Sequence, residues 1–371
     1  MKWVFWSSAL LILYAYLGYP VLLYLRSRWK PLAVRRTSTL PPLSIVMAVH
    51  NGGSVLRAKL DNLSKLDYPA ELVEVVVVSD GSSDETNEIL RDWQGERRRA
   101  IILPKNEGKA LALNRAVEAA AYEVLIFTDA RQLIDSSAIR YLVENFEDPS
   151  VACVSGELIL SEQGAGASSS GLGLYWAFEK KVRQWESATG SVVGVTGALY
   201  AARKQFVPSL PPGTILDDVY IPVQAAGRGK RVLFEGRAFS YDRLSDGRHE
   251  FWRKVRTLAG NYQLLQLAPW LLTTSNPIRF RFVSHKLVRL LVPFALLGVL
   301  ISSAFLEQPL YRLALAGELA LCLGAALGAF GLPLGFLSRT GNACAAFLVL
   351  NAAAVVAFAY FVTGRRVAWT R

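Results

Sequence analysis

Leu72-Val73-Glu74-Val75-Val76-Val77-Val78, followed by Ser79-Asp80-Gly81-Ser82-Ser83-Asp84, is the stretch whose reading decides the fold. A short, nearly continuous β-branched run reads as a strand buried on both faces, as in a parallel sheet covered by helices. The small and acidic residues after it make a turn, and Ser83 or Asp84 can cap a helix reaching Trp93. Upstream, Leu43 to Val49 reads as another buried strand, bounded by Pro41-Pro42 and Asn51-Gly52-Gly53. A helix from Ser54 to Leu66 follows, with Val55, Leu56, Leu60 and Leu63 at helical spacing, and Asp67-Tyr68-Pro69 stops it. Downstream come a strand over Ala100 to Leu103, an alanine-rich helix over Lys109 to Ala121, and a strand over Val124 to Thr128. This alternation predicts an α/β domain with an open, mostly parallel sheet. Such sheets bind ligands beyond the carboxyl ends of their strands. Three strand ends therefore matter: His50-Asn51, Ser79 to Asp84, and Asp129-Ala130-Arg131.

Outside this region the chain turns apolar. Of 371 residues, 52% are hydrophobic, and mean hydropathy is +0.27. Those values are high for a soluble enzyme and direct attention to membrane spans. Trp3 to Leu25 is long enough to cross a bilayer and ends in Tyr-Leu-Arg, where a cleaved signal peptide would end in small residues. Arg26, Arg28, Lys30, Arg35 and Arg36 follow it, and the positive-inside rule holds that end in the cytosol. Three apolar blocks lie near the C-terminus, over about Leu287 to Leu306, Leu310 to Leu337 and Ala343 to Val362. The middle block carries Glu318, read as sitting near an interface or facing another helix, and a Gly331-Leu332-Pro333 break. Four full spans would leave the basic tail Gly364-Arg365-Arg366 outside, against the positive-inside tendency.

The expected organisation is an N-terminal transmembrane helix over 1–25, a cytosolic catalytic domain over 38–248, an amphipathic interfacial region over 249–286, and about three transmembrane helices over 287–363. The segment from His249 to Leu272, with Arg and Lys beside Phe251, Trp252, Leu258 and Leu264, reads as a helix lying at the membrane surface. That describes a multi-pass protein of an inner or plasma membrane with its catalytic domain in the cytosol. The net charge of +11 suits lipid headgroups and substrate phosphates, because the basic residues cluster near the apolar spans. No nucleic-acid-binding signature appears. The three cysteines, Cys153, Cys322 and Cys344, form no CxxC, and His50, His249 and His285 form no zinc spacing.

Seven stretches, in order, resemble the inverting family-2 glycosyltransferases, in the membrane-bound branch of cellulose, hyaluronan and poly-N-acetylglucosamine synthases. They are Ile45 to Asn51, Val78 to Asp84, Gly108 to Asn114, Phe127 to Ala130, Thr196 to Tyr200, Leu216-Asp217-Asp218 and Arg253 to Arg256. The resemblance implies a GT-A fold and a nucleoside-diphosphate-sugar donor, usually a UDP-sugar. It implies that backbone near Ala48 and Val49, with Asn51, holds the base and that Asp80 hydrogen-bonds the uracil ring. Lys109 would contact the donor, where an anionic partner suits a lysine at a helix start. Asp129 matches the first acid of the Asp-x-Asp motif that binds Mg2+ or Mn2+ at the diphosphate. The sequence departs at the third position, Arg131, which cannot ligate a metal and could itself neutralise the diphosphate or face outward.

The family's general base is the second acid of a pair, which places Asp218 in that role and Asp217, with Gly197, on the acceptor side. A carboxylate there takes the proton from the attacking hydroxyl, and a neighbouring acid raises its pKa when both are buried. Arg253-Lys254-Val255-Arg256-Thr257 aligns with the processive synthases' Gln-x-x-Arg-Trp. Arg256 is retained for the diphosphate, while Thr257 replaces the tryptophan that would stack on the acceptor. Tyr175 to Glu179 and Trp185-Glu186 add aromatics and acids without an assigned role. The expected acceptor is lipid-linked or polysaccharide. The alternatives are a polyprenyl-phosphate sugar transferase and a catalytically weak partner subunit. A dinucleotide-dependent oxidoreductase is disfavoured, since the first strand lacks GxGxxG.

Overall fold

A computed structural model describes residues 1–161, 169–243, 247–329 and 336–364. The Gly331-Leu332-Pro333 break and the tail residues Arg365 and Arg366 lie outside them.

The strands are β1 (Leu43–Val49), β2 (Val73–Asp80), β3 (Arg98–Leu103), β4 (Val124–Thr128), β5 (Leu133–Ile134), β6 (Val151–Ser161), β7 (Leu199–Arg203) and β8 (Arg231–Arg243). Among the described residues they form one eight-stranded sheet in the order β3-β2-β1-β4-β7-β6-β8-β5. The β3-β2-β1-β4 half is wholly parallel. Beyond β4, β7 pairs antiparallel with both β4 and β6, and β6 and β8 are parallel again.

Alternation along β1 and β2 sorts side chains between two cores. Val46, Val76 and Val78 join the helices Lys109–Ala119 and Asp217–Gly227 on one face. Ile45, Met47, Val75 and Val77 join the helices Gly53–Ser64 and Thr86–Trp93 on the other. The β-branched run thus serves a sheet covered on both sides, as its composition requires.

Among the described residues, four helices are long and apolar enough to cross a membrane: Lys2–Trp29, Arg279–Ala304, Pro309–Gly328 and Thr340–Val362. The first continues past Leu25, and the second begins at Arg279, eight residues before the expected start at 287. Each of these two helices contains a π-helical turn, Tyr14–Gly18 and Phe282–Leu287. The turns face each other, with Tyr14 Oη 2.6 Å from Ser284 Oγ.

The helix expected at the membrane surface runs from Gly247 to Leu267 and gives way to a short turn at Pro269–Leu272. Part of its apolar face packs on protein. Val255 and Ala259 pack on Ala353 and Ala357 of the last span, Tyr262 stacks on Phe361 at 5.1 Å, and Leu264 enters the domain core. An apolar stripe is satisfied equally by a helix or by acyl chains, so periodicity could not separate the two.

The spans are bolted to the α/β domain by polar contacts. Tyr19 donates to Glu186 Oε1 at 2.5 Å. Arg281 donates to the carbonyls of Glu186, Ser191 and Thr189, each at 2.6 Å. Three carbonyls gathered on one guanidinium make a geometrically demanding joint, so the domain is held in a defined position against the spans.

Candidate active site

The ends of β1 and β2 are stitched together by side chains acting on backbone. Asn51 sits at φ +49°, a conformation asparagine tolerates. Its N–H donates to Ser82 Oγ at 3.0 Å, and its Oδ1 accepts from the Ser83 N–H at 2.8 Å. Asp84 accepts from the N–H groups of Gly53 at 2.9 Å and Thr86 at 3.0 Å, tying the two helix starts together. Gly81 has φ +61°, and a Cβ there would collide with the Lys105–Asn106 backbone, so both conformation and space require glycine.

Beside these loops lies a cavity of about 630 Å³ lined by Ala48, Val49, Asn51, Asp80, Gly108 and Lys109, among others. Five of the expected donor residues thus share one pocket. Asp80 is 3% exposed, and both its oxygens accept from backbone amides, Glu107 N–H at 2.7 Å and Gly108 N–H at 2.9 Å. It therefore shapes the turn that launches the Lys109 helix, and only its remaining lone pairs face a ligand.

Lys109 opens that helix and reaches across to two other segments. Its Nζ lies 3.0 Å from Asp129 Oδ1 and 3.2 Å from Asp217 Oδ1. Burial lowers its pKa, but Asp129, Asp217 and Asp218 more than offset this and hold the ammonium above its ordinary range. Three acids from the end of β4 and the start of the Asp217–Gly227 helix thus gather around one lysine. Asp217 is buried and Asp129 is 37% exposed at its side chain.

Asp218 stands next to this cluster. Burial and then Asp217 push its carboxyl up to about 6, with Lys109 and Lys286 pulling against them. A Cβ at position 197 would sit 3.2 Å from Asp218 Oδ2, so glycine there leaves the carboxylate room to move. Arg256, on the Gly247–Leu267 helix, has its pKa lowered by burial and raised by Asp217, Asp129 and Asp218, which places its charge against the same acids.

Arg131 turns away from the cluster. Its Nη2 donates to Asp242 Oδ2 at 2.6 Å, on β8, and Gln132 Nε2 donates to the same oxygen at 2.8 Å. Asp242 is buried, so Arg131 supplies the charge that this carboxylate needs. The Arg131 side chain is 45% exposed, as the outward-facing reading from sequence has it, and it also makes this ion pair. Among the described residues, no group of three His, Cys, Asp or Glu side chains could hold a metal ion. A divalent ion would take Asp129 from the protein and its remaining ligands from phosphate and water, as Mg2+ commonly does.

Lys59 escaped the sequence reading. It is 0% exposed, and its Nζ donates to Thr128 Oγ1 at 2.7 Å and to the Gln132 carbonyl at 2.6 Å. It therefore spans the turn that carries Asp129. Burial lowers its pKa to about 7, with Asp129 pulling it up. The signal was present: Lys59 lies on the same helical stripe as Leu56, Leu60 and Leu63, where a solvated lysine has no place.

Comparison with known proteins agrees with this architecture. Residues 44–207 match the family described as Glycosyl transferase family 2. Poly-beta-1,6-N-acetyl-D-glucosamine synthase of Staphylococcus aureus is 24% identical over 232 residues, 61% of this chain and 56% of that protein. The Staphylococcus epidermidis synthase is 24% identical over 234 residues, with 62% and 56% covered. The match thus spans little more than half the length of those relatives. Among solved structures, a mannosyltransferase from Pyrobaculum calidifontis in complex with GDP-Man and Mn2+ superposes with TM-score 0.74 at 21% identity. It covers 98% of this chain and 100% of that one, including the spans. The fold is GT-A, joined to four helices long and apolar enough to cross a membrane.

Proposed function

We propose that this chain, whose residues 44–207 carry a glycosyl transferase family 2 domain, moves a sugar from a nucleotide-sugar donor to a lipid-linked or polysaccharide acceptor at the cytosolic face of a membrane, with inversion. One observation carries the reading: Lys109 bridges Asp129 and Asp217 at the mouth of the cavity lined by Ala48, Val49, Asn51 and Asp80, with Asp218 alongside. In this assignment the base and ribose occupy the cavity, and the diphosphate lies against Lys109 and Arg256. The acceptor hydroxyl attacks the anomeric carbon and its proton passes to the Asp218 carboxylate. The bond from that carbon to the diphosphate breaks, and the nucleoside diphosphate leaves. Mg2+ or Mn2+ at Asp129 would neutralise charge on the departing diphosphate.

The domain division follows the same reading: residues 38–248 catalyse, the Gly247–Leu267 helix couples them to the last span, and four helices sit in the bilayer. Arg26 and Arg28, in the last turn of the first span's helix, and Lys30 just beyond it support a cytosolic catalytic domain. The donor is most simply a UDP-sugar, the family's usual substrate. The solved mannosyltransferase holds GDP-Man, so both bases belong in the test.

Membranes containing the protein are incubated with radiolabelled UDP- and GDP-sugars, and lipid-soluble product is separated from polymer. One donor should label a product, and a chelator should stop the transfer. Absence of transfer from every donor would overturn the proposal, and turnover unaffected by the chelator would remove the metal from it.

A further inference from the structure

A second cavity, of about 680 Å³, lies between the catalytic domain and the spans. Three of the four candidate spans contribute to its wall: Tyr16 from the first, Lys286 and Arg289 from the second, and Phe347, Leu350 and Ala354 from the last. Both π-helical turns open onto it, one presenting Tyr16 and the other His285 and Lys286. Such turns recur at functional sites because they rotate side chains out of the regular helical register. On the domain side it is lined by Gly194, Val195 and Thr196. The Val195 N–H donates to the Asp218 carbonyl at 2.9 Å, so the cavity ends beside the proposed base.

Its charges are unevenly satisfied. Glu179 uses both oxygens, 2.6 Å from His285 Nε2 and 2.5 Å from Arg289 Nη1. Glu186 Oε1 is 2.9 Å from His285 Nδ1 and accepts from Tyr19, while Glu186 Oε2 has no hydrogen-bond partner among the described residues. The cations keep more unused donors. Nε and Nη2 of Arg289 are buried without a hydrogen-bond partner among the described residues, and the Lys286 ammonium has no ion pair there. Buried donors on charged groups are costly to leave unmade. An anion seated between Lys286 and Arg289 would satisfy them, and a neutral sugar would meet them with weaker acceptors. The other end of the cavity, at Phe347, Leu350 and Ala354, is largely apolar, with Asn351 its polar member, and belongs to a candidate span.

We propose that this cavity binds the phosphate-bearing headgroup of a lipid acceptor, with the phosphate between Lys286 and Arg289 and the hydrocarbon chain leaving past Phe347 and Leu350. This rests on the transferase reading above and deepens it by naming the acceptor class. The two can fail separately, because lipid binding is measured without a sugar donor.

The full chain is placed in lipid nanodiscs and tested with radiolabelled farnesyl monophosphate, with farnesol and inorganic phosphate as competitors. Farnesyl monophosphate should bind, farnesol should compete at least about ten-fold less well, and inorganic phosphate should not displace the lipid at matched concentration; a charge-assisted contact carries that much discrimination. Lys286→Gln should weaken lipid binding about ten-fold or more and leave nucleoside-diphosphate affinity at the other pocket unchanged. Leu350→Trp, which fills the apolar end without touching a charge, should block the lipid with the same selectivity. Equal competition by farnesol, full displacement by inorganic phosphate, or unaltered lipid binding in Leu350→Trp would each overturn the proposal. Transfer to a soluble glycan without lipid binding would sink this inference alone.

Discussion

Asp218→Asn is the most informative perturbation, because it keeps the shape of the side chain and removes only its capacity to take a proton. With its pKa raised to about 6 by burial and by Asp217, Asp218 is about nine-tenths ionised at pH 7 and about one-tenth at pH 5. For a general base the ionised form is the active one, so kcat/KM should fall about ten-fold between those values. The loss lies on the acid side, where protonation removes the base. Removing the base altogether should cost about 10²- to 10⁴-fold, or roughly 3–5 kcal/mol of barrier. Donor affinity should survive, since the donor cavity is lined by other residues. Asp217→Asn supplies the cross-check. It removes the second largest cause of the raised pKa, so the acid limb should move below pH 6, toward the ordinary aspartate value of about 4. The assay is initial-rate sugar transfer from labelled donor between pH 4.5 and 8, with nucleoside-diphosphate binding measured in parallel. Near-normal transfer by Asp218→Asn, or an acid limb unmoved by Asp217→Asn, would refute the assignment of the base.

Lys59→Met tests the buried brace beneath Asp129. The folded pKa of about 7 lies below the ordinary value of about 10.4, so between these the unfolded chain binds the extra proton and wild-type stability should rise with pH, by about 4–5 kcal/mol over the window. Denaturation of the full protein in detergent should show that rise, and Lys59→Met should flatten it while lowering transfer, as the Asp129 turn loses its tie to Gln132. Asp80→Asn should weaken nucleotide binding about ten-fold or more in a titration, because an amide cannot accept on both sides from the Glu107 and Gly108 N–H groups. Gly197→Ala puts a methyl 3.2 Å from Asp218 Oδ2 and should lower kcat several-fold in steady-state assays, with donor affinity unchanged.

Sequence alone determined the parts of this protein that are written in local pattern. The β-branched run before Asp80 and the apolar run before His50 specify strands buried on both faces, and those are β2 and β1. The long apolar stretches specify helices able to span a bilayer, since uninterrupted apolar length is itself the physical requirement. The acids and lysine that cluster at the site were also visible, because chain order and parallel pairing bring strand ends to one edge of a sheet.

What the tertiary structure decided was which distant groups meet. Arg131 pairs with Asp242, 111 residues away. Asp80 is consumed largely by its own turn, Lys59 threads through the core to Gln132, and the helix after Gly247 spends part of its apolar face on a span. No periodicity carries these outcomes, because each depends on the strand register and helix packing that set which partner a side chain reaches first. Nor does composition reveal that, among the described residues, Arg289 keeps two buried nitrogens without a hydrogen-bond partner in a cavity beside Asp218. That follows only when three spans and a catalytic domain close around the same space.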